Sequence, residues 1–305
     1  MSRLHWIALS LTPGGGGKAM RRLLKRFGDA EAVFEAPDKT LLAVPRIGEN
    51  TLRAIRAVQL EQVEAELLSL EDEGISMMVW DDEDYPANLR ATADAPPLLF
   101  VRGTVLPEDA RAVAIVGTRT PSSRGLENAH ITAAALAVRG LTVISGLALG
   151  VDTAAHTGTL EAGGRTLAVL GSGLRAIHPR SNAELAERIA VSGALLSELH
   201  PNTPVRGSQL MARDRIISGL SRAVVVVEAR LESGSLDTAR HAREQERPLF
   251  AIPGSPGCDA LLQAEAHLLV PDETGWDRIV KTVIEWQSQP AATSTAHQPN
   301  LWFDS

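Results

Sequence analysis

Arginine and glycine lie together at the end of one apolar run of the sequence. Residues 113–125 read VAIVGTRTPSSRG, so that Gly117 and Arg119 follow four apolar residues and precede a segment of helical pattern. A glycine turn lets backbone N–H groups approach an anion, and a guanidinium adds charge and a fork of donors. The chemistry that this stretch favours is phosphate binding.

Arginines recur in other loops of the same kind. Six apolar runs between residues 112 and 254 each precede a loop, and most of these loops are rich in Gly and Ser. The loop arginines are Arg119, Arg124, Arg175, Arg180, Arg206, Arg213 and Arg215. One nucleotide needs one or two such groups, whereas several on one rim suit a run of phosphates. Neither Gly-x-Gly-x-x-Gly at the first helix nor a Gly-x-x-x-x-Gly-Lys-Ser/Thr loop is present.

Asp152 and His156 are the pair whose spacing could serve hydrolysis. Four residues apart on a helix, they share a face and could form an acid/base pair or half of a metal site. In the structural interpretation, Asp152 caps the start of the helix and His156 hydrogen-bonds within the loop layer. We favour the structural interpretation and expect no metal site, because no second cluster of Asp, Glu, His or Cys has ligand spacing.

The segments before these loops must position them. The runs AVAIVG, LTVISG, TLAVLG, GALLSE, AVVVVEA and PLFAIPG are apolar rather than alternating, which indicates strands buried on both faces. Alanine-rich segments of helical pattern lie between them. Strand and helix in turn predict an α/β fold with a doubly wound, mainly parallel sheet, whose ligands bind at the carboxyl ends of the strands.

The pattern divides the chain into four segments. We expect a helical domain over residues 1–75, a connector with short strands over 76–110, the sheet domain over 111–287, and a disordered tail over 288–305 that is rich in Gln, Pro, Ala, Thr and Ser. Within the first segment, Pro45, Ile47 and Gly48 form a turn typical of a helix-hairpin-helix. The alternative is a small helical bundle that uses glycine as a C-cap.

Composition narrows the class of protein. The chain has 305 residues and a net charge of -7, so a nucleic-acid site must be a local patch of arginines. Its one cysteine, Cys258, fits a reducing cytoplasm and excludes an internal disulfide. No apolar run is long enough for a membrane span, and the first residues do not resemble a secretory signal. We therefore expect a cytoplasmic protein.

Five motifs follow one another over about residues 80–270: VAIVGTRTPSSRG, VISGLALGVDTAAH, HPRSNAEL, RDRIISGLSRAVVVVEARLESGSLDTA and AIPG. Together they resemble the DNA-processing protein A (DprA/Smf) family. The resemblance implies an extended Rossmann-like fold behind a sterile-alpha-motif-like or helix-hairpin-helix region. It also implies a dimer that binds single-stranded DNA, protects incoming or repair-intermediate strands, and loads the RecA recombinase during natural transformation. Such proteins are not known as enzymes, and no cofactor is expected.

The resemblance also assigns DNA-binding residues. They are Gly117, Thr118, Arg119 and Ser122 in the first loop, Ser145, Gly146 and Leu147 in the second, Arg180 and Asn182 in the third, Arg213 and Arg215 in the Arg-x-Arg motif, and Ser233, Gly234 and Ser235 in the fifth. This chain departs from the family pattern at Asp214 and Asp259, where the family has asparagine. Each change adds a carboxylate near the expected phosphate path, where it opposes binding unless an arginine neutralises it. Arg124 and Arg175 add positive charge.

The end of the sequence carries a separate motif. Gln298, Leu301 and Phe303 in QPNLWFDS match Gln-x-x-Leu-x-Phe, which resembles the peptide by which bacterial proteins dock on the DNA polymerase sliding clamp. An apolar pair on a flexible tether would fill a groove while glutamine fixes the register. The alternative is a chance apolar end on a disordered tail.

Two other functions stay open from the sequence. Nucleoside-monophosphate phosphoribohydrolases resemble this fold, but their Pro-Gly-Gly-x-Gly-Thr loop corresponds here to LESGSLDTA, which lacks that pattern. An adaptor that links RecA and the clamp, with a DNA pocket weakened by Asp214 and Asp259, is the second. Aromatic residues make up only 4% of the chain. If the protein binds single-stranded DNA, phosphate contacts should therefore dominate over base stacking.

Overall fold

A nine-stranded sheet is the centre of the molecule. The computed structural model describes residues 3–12, 18–264 and 266–288. Within those ranges the strands are β1 (Ile75–Val79), β2 (Leu98–Gly103), β3 (Ala112–Val116), β4 (Thr142–Ser145), β5 (Thr166–Val169), β6 (Ala194–Ser197), β7 (Ala223–Val226), β8 (Leu249–Ala251) and β9 (His267–Leu268). The six strands predicted from apolar runs are β3 to β8, and the α/β fold is confirmed.

The strand order is that of a doubly wound sheet. It runs β1-β2-β6-β5-β4-β3-β7-β8-β9, with parallel pairing from β6 to β9. The chain starts the parallel part at β3, moves outward to β6, and returns to the other side of β3 with β7. The order therefore reverses between β3 and β7, where the loops diverge and leave a crevice beyond the carboxyl ends.

Helices cover both faces of this sheet and form the first part of the chain. They are α1 (Arg3–Leu11), α2 (Lys18–Phe27), α3 (Ala30–Glu35), α4 (Asp38–Leu42), α5 (Glu49–Arg56), α6 (Leu60–Asp72), α7 (Ala87–Arg90), α8 (Ser123–Val138), α9 (Val151–Glu161), α10 (Ala183–Ser192), α11 (Gly207–Leu220), α12 (Ser235–Glu244), α13 (Pro256–Ala264) and α14 (Glu273–Ser288). Short 3₁₀ turns lie at Pro107–Ala110 and Arg180–Asn182. No helix within the described residues is both long and apolar enough for a membrane span.

Burial follows the apolar runs. All residues of β3, β4, β5, β6 and β7 are buried, as continuous apolar strands covered on two faces require. The predicted glycine turn connects α4 and α5, with Gly48 as the N-cap of α5 and Ile47 buried beneath it. Of the tail predicted to be disordered over residues 288–305, Ser288 is the last residue of α14, and residues 289–305 lie outside the described residues.

The strands of the connector belong to the same sheet. β1 pairs with β2, and β2 pairs with β6, both antiparallel. One buried cluster joins the early helices to this edge, because Ile7, Leu23 and Leu41 share it with Phe100 and Leu195. The helical part is therefore packed on the sheet rather than tethered to it.

Arg175 holds α6 against the sheet. Its guanidinium donates to Glu73 at 2.7 and 2.8 Å, to Glu66 at 2.8 Å, and to the Ser69 hydroxyl at 3.1 Å. These bonds raise the pKa of Arg175, and the same arginine lowers the pKa of the Glu73 carboxyl. The expectation that Arg175 adds charge to a phosphate rim is wrong, because the carboxylates of Glu66 in α6 and of Glu73, its C-cap, already pair with it.

Replacing Arg175 with Met should loosen α6. We expect the free energy of unfolding to fall by about 1 kcal/mol, since a partly exposed charge cluster contributes modestly. Hydrogen exchange should rise in α6 more than in β3. Chemical denaturation and amide exchange measure both effects, with Arg188→Met on the exposed side of α10 as the matched control. Equal exchange in α6 for the two variants would contradict this role.

Candidate nucleic-acid interface

The loop between β3 and α8 holds four of the predicted contacts, Gly117, Thr118, Arg119 and Ser122. Thr118 is buried, and its N–H donates to the carbonyl of Glu228 at 2.8 Å, which fixes the loop against the end of β7. Arg119 is exposed. Ser122 is the N-cap of α8, where its hydroxyl oxygen accepts from the N–H of Gly125 at 3.0 Å. The loop is thus rigid on its inner side and carries a free guanidinium on its outer side.

The carboxylate of Glu228 lies at the amino terminus of α8. Its Oε2 accepts from the Ser122 hydroxyl at 2.7 Å, and the Ser122 N–H lies 3.1 and 3.2 Å from the two oxygens. A side chain at Gly125 would overlap Oε2. A carboxylate is stable there because the helix dipole is positive at that end. The amino terminus of α8 is therefore occupied by the chain's own anion.

Sequence reasoning missed Glu228, although a signal was present. It is the carboxylate that directly follows the run VVVV, and β7 is the strand that reverses the order next to β3. A charged residue at the end of a fully apolar strand faces the same crevice as the neighbouring loop. Only the strand order, however, identifies β7 as that neighbour.

Hydrogen bonds from buried side chains hold the loop after β4 in place. The Ser145 hydroxyl donates to the carbonyl of Ile115 at 2.7 Å, and Leu147 is buried with a φ of 61°. The amide of Asn182 is buried and donates to the carbonyl of Leu147 at 2.9 Å. These bonds position Gly146 at the carboxyl edge, and they make Ser145 and Asn182 supports of the loop.

Asp152 supports the same loop. Its Oδ2 accepts from the N–H groups of Gly146 and Ala148, each at 3.2 Å. Burial raises the pKa of this carboxyl. The predicted capping role of Asp152 is corrected by this geometry, because Gly150 is the N-cap of α9 and Asp152 bonds to the loop that precedes it.

Arg213 is buried beneath the two central loops. Its Nη1 donates to the carbonyls of Gly146 and Val169, at 2.5 and 2.6 Å, and its Nε donates to Asp214 at 2.8 Å. A side chain at Gly146 would collide with the guanidinium. Asp214 therefore has the neutralising arginine that the sequence left open, although burial still raises the pKa of its carboxyl to about 6.

Arg215 is also enclosed and paired. It donates to Glu198 at 2.6 Å, and its Nε lies 3.4 Å from Asp94. The exposed fraction of the residue is 9%. The side chains of the Arg-x-Arg motif thus face carbonyls and carboxylates of the protein.

Asp259, the second position at which the family has asparagine, and Ser233, in the loop after β7, each bond to a residue close in sequence. Asp259 accepts from the N–H of Gly254 at 2.9 Å, so its carboxylate closes the loop after β8. The Ser233 hydroxyl oxygen accepts from the N–H of Arg230 at 2.9 Å. Gly234 is exposed, and the buried Ser235 hydroxyl has no hydrogen-bond partner within the described part of the chain.

Five arginines at the carboxyl edge are exposed. Arg119 follows β3, Arg180 precedes α10, and Arg206 is the N-cap of α11. Arg124 is exposed in the first turn of α8. Arg230, in the loop after β7, is exposed as well and was missed by the sequence analysis. The structure brings these five onto loops or helix starts that follow the carboxyl ends of the strands.

His156 is a buried neutral side chain. Its Nδ1 lies 2.7 Å from the Thr166 hydroxyl, which donates to the carbonyl of Val143, so the imidazole donates from Nδ1. Burial, followed by the charge of Arg213, lowers the pKa of His156 to about 3. The bonding gives His156 a structural role, but its partner Thr166 is the first residue of β5, so the predicted bond within the loop layer is corrected. Within the described ranges no group of His, Cys, Asp and Glu could hold a metal ion.

The geometry defines a class of protein: a Rossmann-like α/β protein whose carboxyl-edge loops are held by internal hydrogen bonds and carry exposed arginines. The family model for DNA recombination-mediator protein A matches residues 76–281. The chain therefore belongs to the DNA recombination-mediator protein A family. The resemblance found in the sequence is confirmed.

Curated relatives extend the match. Protein Smf of Synechocystis sp. is 34% identical over 279 residues, which cover 88% of this chain and 70% of that protein. Protein Smf of Escherichia coli is 44% identical over 198 residues, which cover 65% of this chain. This chain spans only 53% of the length of the Escherichia coli protein.

Two solved structures share the fold. DNA processing protein A from Streptococcus pneumoniae has a TM-score of 0.73 and 30% identity, covering 86% of this chain and 92% of that chain. DNA processing protein A from Helicobacter pylori has a TM-score of 0.60 and 28% identity, covering 69% of this chain and 96% of that chain. The Helicobacter pylori structure was described for its single-stranded DNA binding mode.

Acid should destabilise the protein through His156. The folded state keeps this imidazole neutral down to about pH 3, whereas the unfolded chain protonates it near 6.5. The unfolded state therefore binds more protons between these values, and the free energy of unfolding falls as pH decreases, by up to about 1.4 kcal/mol per pH unit.

Comparison with His156→Asn isolates this effect. The variant should be less stable at pH 7.5 and lose less stability between pH 6.5 and 5, as measured by urea unfolding. The raised pKa values of Asp152 and Asp214 make the free energy of unfolding rise as pH decreases. Both residues are present in wild type and variant, so their contributions cancel in the comparison. His178→Asn, at an exposed position, is the control. Parallel pH profiles for wild type and His156→Asn would refute the assignment.

Proposed function

We propose that this protein binds single-stranded DNA along the carboxyl edge of its sheet, by its phosphates and with little sequence preference. The observation that carries the proposal is the set of exposed arginines on loops whose backbone is held rigid from within. Family membership and the binding mode described for the Helicobacter pylori relative support it. Rigid loops lower the entropy cost of holding a flexible strand.

The proposed contacts divide into two groups. Arg119, Arg180, Gly117 and Gly234, together with the exposed backbone around them, would meet the phosphates directly. The residues that hold the loops are Thr118, Ser122, Ser145, Asn182, Arg213, Arg215 and Ser233. Gly146 and Leu147 lie in the loop after β4 that these bonds position, and Ser235 begins α12. In this scheme Arg213 acts by fixing the carbonyls of two loops rather than by pairing with DNA.

The biological role follows the family. The protein would act as a binding protein rather than an enzyme. It would protect incoming or repair-intermediate strands and, as a homodimer, deliver them to RecA during natural transformation. Weak base contacts suit that role, since an incoming strand has any sequence.

An adaptor function is the second candidate. It is favoured by the carboxylate of Glu228 at α8 and by the internal pairing of Arg213 and Arg215, which together leave fewer free charges than the sequence suggested. An adaptor would link RecA and the sliding clamp without holding DNA itself. A direct titration with a single-stranded oligonucleotide separates the two functions.

Arg119→Ala tests the proposed path. Binding should weaken, and the slope of log affinity against log salt should decrease by about 0.7, the amount for one phosphate contact on a single strand. Fluorescence anisotropy with oligonucleotides of two unrelated sequences measures both quantities. Arg188→Ala on α10 is the matched control and should leave the slope unchanged. An unaltered slope in Arg119→Ala would place the DNA elsewhere, and no binding by wild type would favour the adaptor.

The clamp-like motif gives a separate proposal. Gln298, Leu301 and Phe303 lie outside the described residues. We expect purified sliding clamp to retain the full chain and to lose it after deletion of residues 298–305. Substitution of Leu301 and Phe303 by Ala should have the same effect, and equal retention of all three proteins would end the proposal.

A further inference from the structure

Three arginines lie at the amino edge of the sheet, opposite the proposed DNA path. Arg111 directly precedes β3, Arg222 directly precedes β7, and Arg247 lies two residues before β8. These strands are neighbours in the sheet. The backbone N–H of Arg222 donates to the carbonyl of Ala112 at 2.9 Å, which keeps the first two arginines side by side.

Two of these arginines are buried without a counter-charge. The exposed fraction is 7% for Arg222 and 5% for Arg247. Within the described part of the chain, neither forms an ion pair with a carboxylate, and Arg222 Nη1 and Arg247 Nε have no hydrogen-bond partner. The carboxylate of Glu246 raises the pKa of Arg247 through its charge, but Glu246 is exposed and forms no ion pair with Arg247.

The bonds that do form are to neutral groups. Arg247 donates to the carbonyl of Asn88 at 2.8 Å, and Arg222 Nε lies 3.4 Å from the Asn88 side-chain oxygen. The ring of Trp286, on α14, covers both guanidinium groups, with its centroid 4.3 Å from Cζ of Arg247 and 5.2 Å from Cζ of Arg222. Cation–π contact offsets part of the lost hydration.

Such an arrangement is unfavourable as it stands. A buried charge without a partner costs far more than an exposed one, and a like charge nearby adds to that cost. Burial and the neighbouring Arg222 lower the pKa of Arg247 to about 10, and Arg111 adds to the effect of burial on Arg222. An anion between them would satisfy the free N–H groups and remove the repulsion.

We propose that Arg111, Arg222 and Arg247 form a binding site for a phosphate group, closed by the ring of Trp286. The forked donors of arginine match the oxygens of a phosphate, and three guanidinium groups suit a dianion better than a single carboxylate. The enclosed position favours a small ligand, either free phosphate or the terminal phosphate of a nucleotide, over a continuous DNA backbone. Because the ring lies over both guanidinium groups, we expect it to move when the anion enters.

Tryptophan emission and thermal stability test this site. Inorganic phosphate at millimolar concentration should raise the Tm and change the emission of the full-length protein, relative to chloride at equal ionic strength. The emission change should be absent in Trp286→Phe if it reports this ring. Deoxyadenosine monophosphate is the second probe: tighter binding than inorganic phosphate identifies a nucleotide as the ligand, and equal binding identifies free phosphate.

Substitutions locate the response. Arg222→Met and Arg247→Met should each weaken phosphate binding about tenfold or more, the loss expected for hydrogen bonds to a charged group. The control is Arg278→Met, because Arg278 also lies over an aromatic ring, that of Phe250, but outside the cluster. Its response should match the wild type.

Trp286→Ala keeps the proposal testable if the arginine variants fail to fold. It uncovers both guanidinium groups and should bind phosphate at least as tightly as the wild type. A wild type that treats phosphate and chloride alike, a folded Trp286→Ala without a phosphate response, or a response that persists in both arginine variants would overturn the site. Single-strand affinity should be unchanged in Arg247→Met, which keeps this result independent of the proposed DNA path.

Discussion

The carboxylate of Glu228 connects the two strands between which the order of the sheet reverses. It follows β7 and bonds to Ser122, the N-cap of the helix that follows β3. The backbone makes the same connection, from Thr118 to the carbonyl of Glu228. Loops on the two sides of such a reversal diverge, so they need a bond across the crevice to stay in register. The anion at α8 thus stabilises the loop and leaves Arg119 on its outer side for a ligand.

Arginine serves two purposes in this fold. Arg175, Arg213 and Arg215 bond to carbonyls and carboxylates inside the protein and hold loops or helices together. Exposed arginines at the carboxyl edge have no such partners in the structure as described and stay available, although the whole chain has a net charge of -7. Only burial and pairing distinguish the two groups, because the residue type is the same.

The strands were predictable because their signal is local. An apolar run such as AVVVV cannot be exposed on either face, so it must become a central strand. The addition of β1 and β2 to the edge of β6 was not predictable, since it depends on antiparallel pairing between residues about 100 positions apart. Arg175 was misplaced for the same reason: its partners Glu66 and Glu73 are distant in the sequence.

The sequence by itself determined the fold class, the six central strands, the family, and the loops that meet at the carboxyl edge, because each of these follows from short apolar runs and contiguous motifs. The tertiary structure alone decided which arginines are buried and bonded within the protein and which face solvent. It also decided that Glu228 occupies the start of α8, and that Arg222 and Arg247 both contact the ring of Trp286. Those features depend on which strands are neighbours. Charge and burial act through space, and the spatial neighbours of a side chain are set by the strand order rather than by its position along the chain.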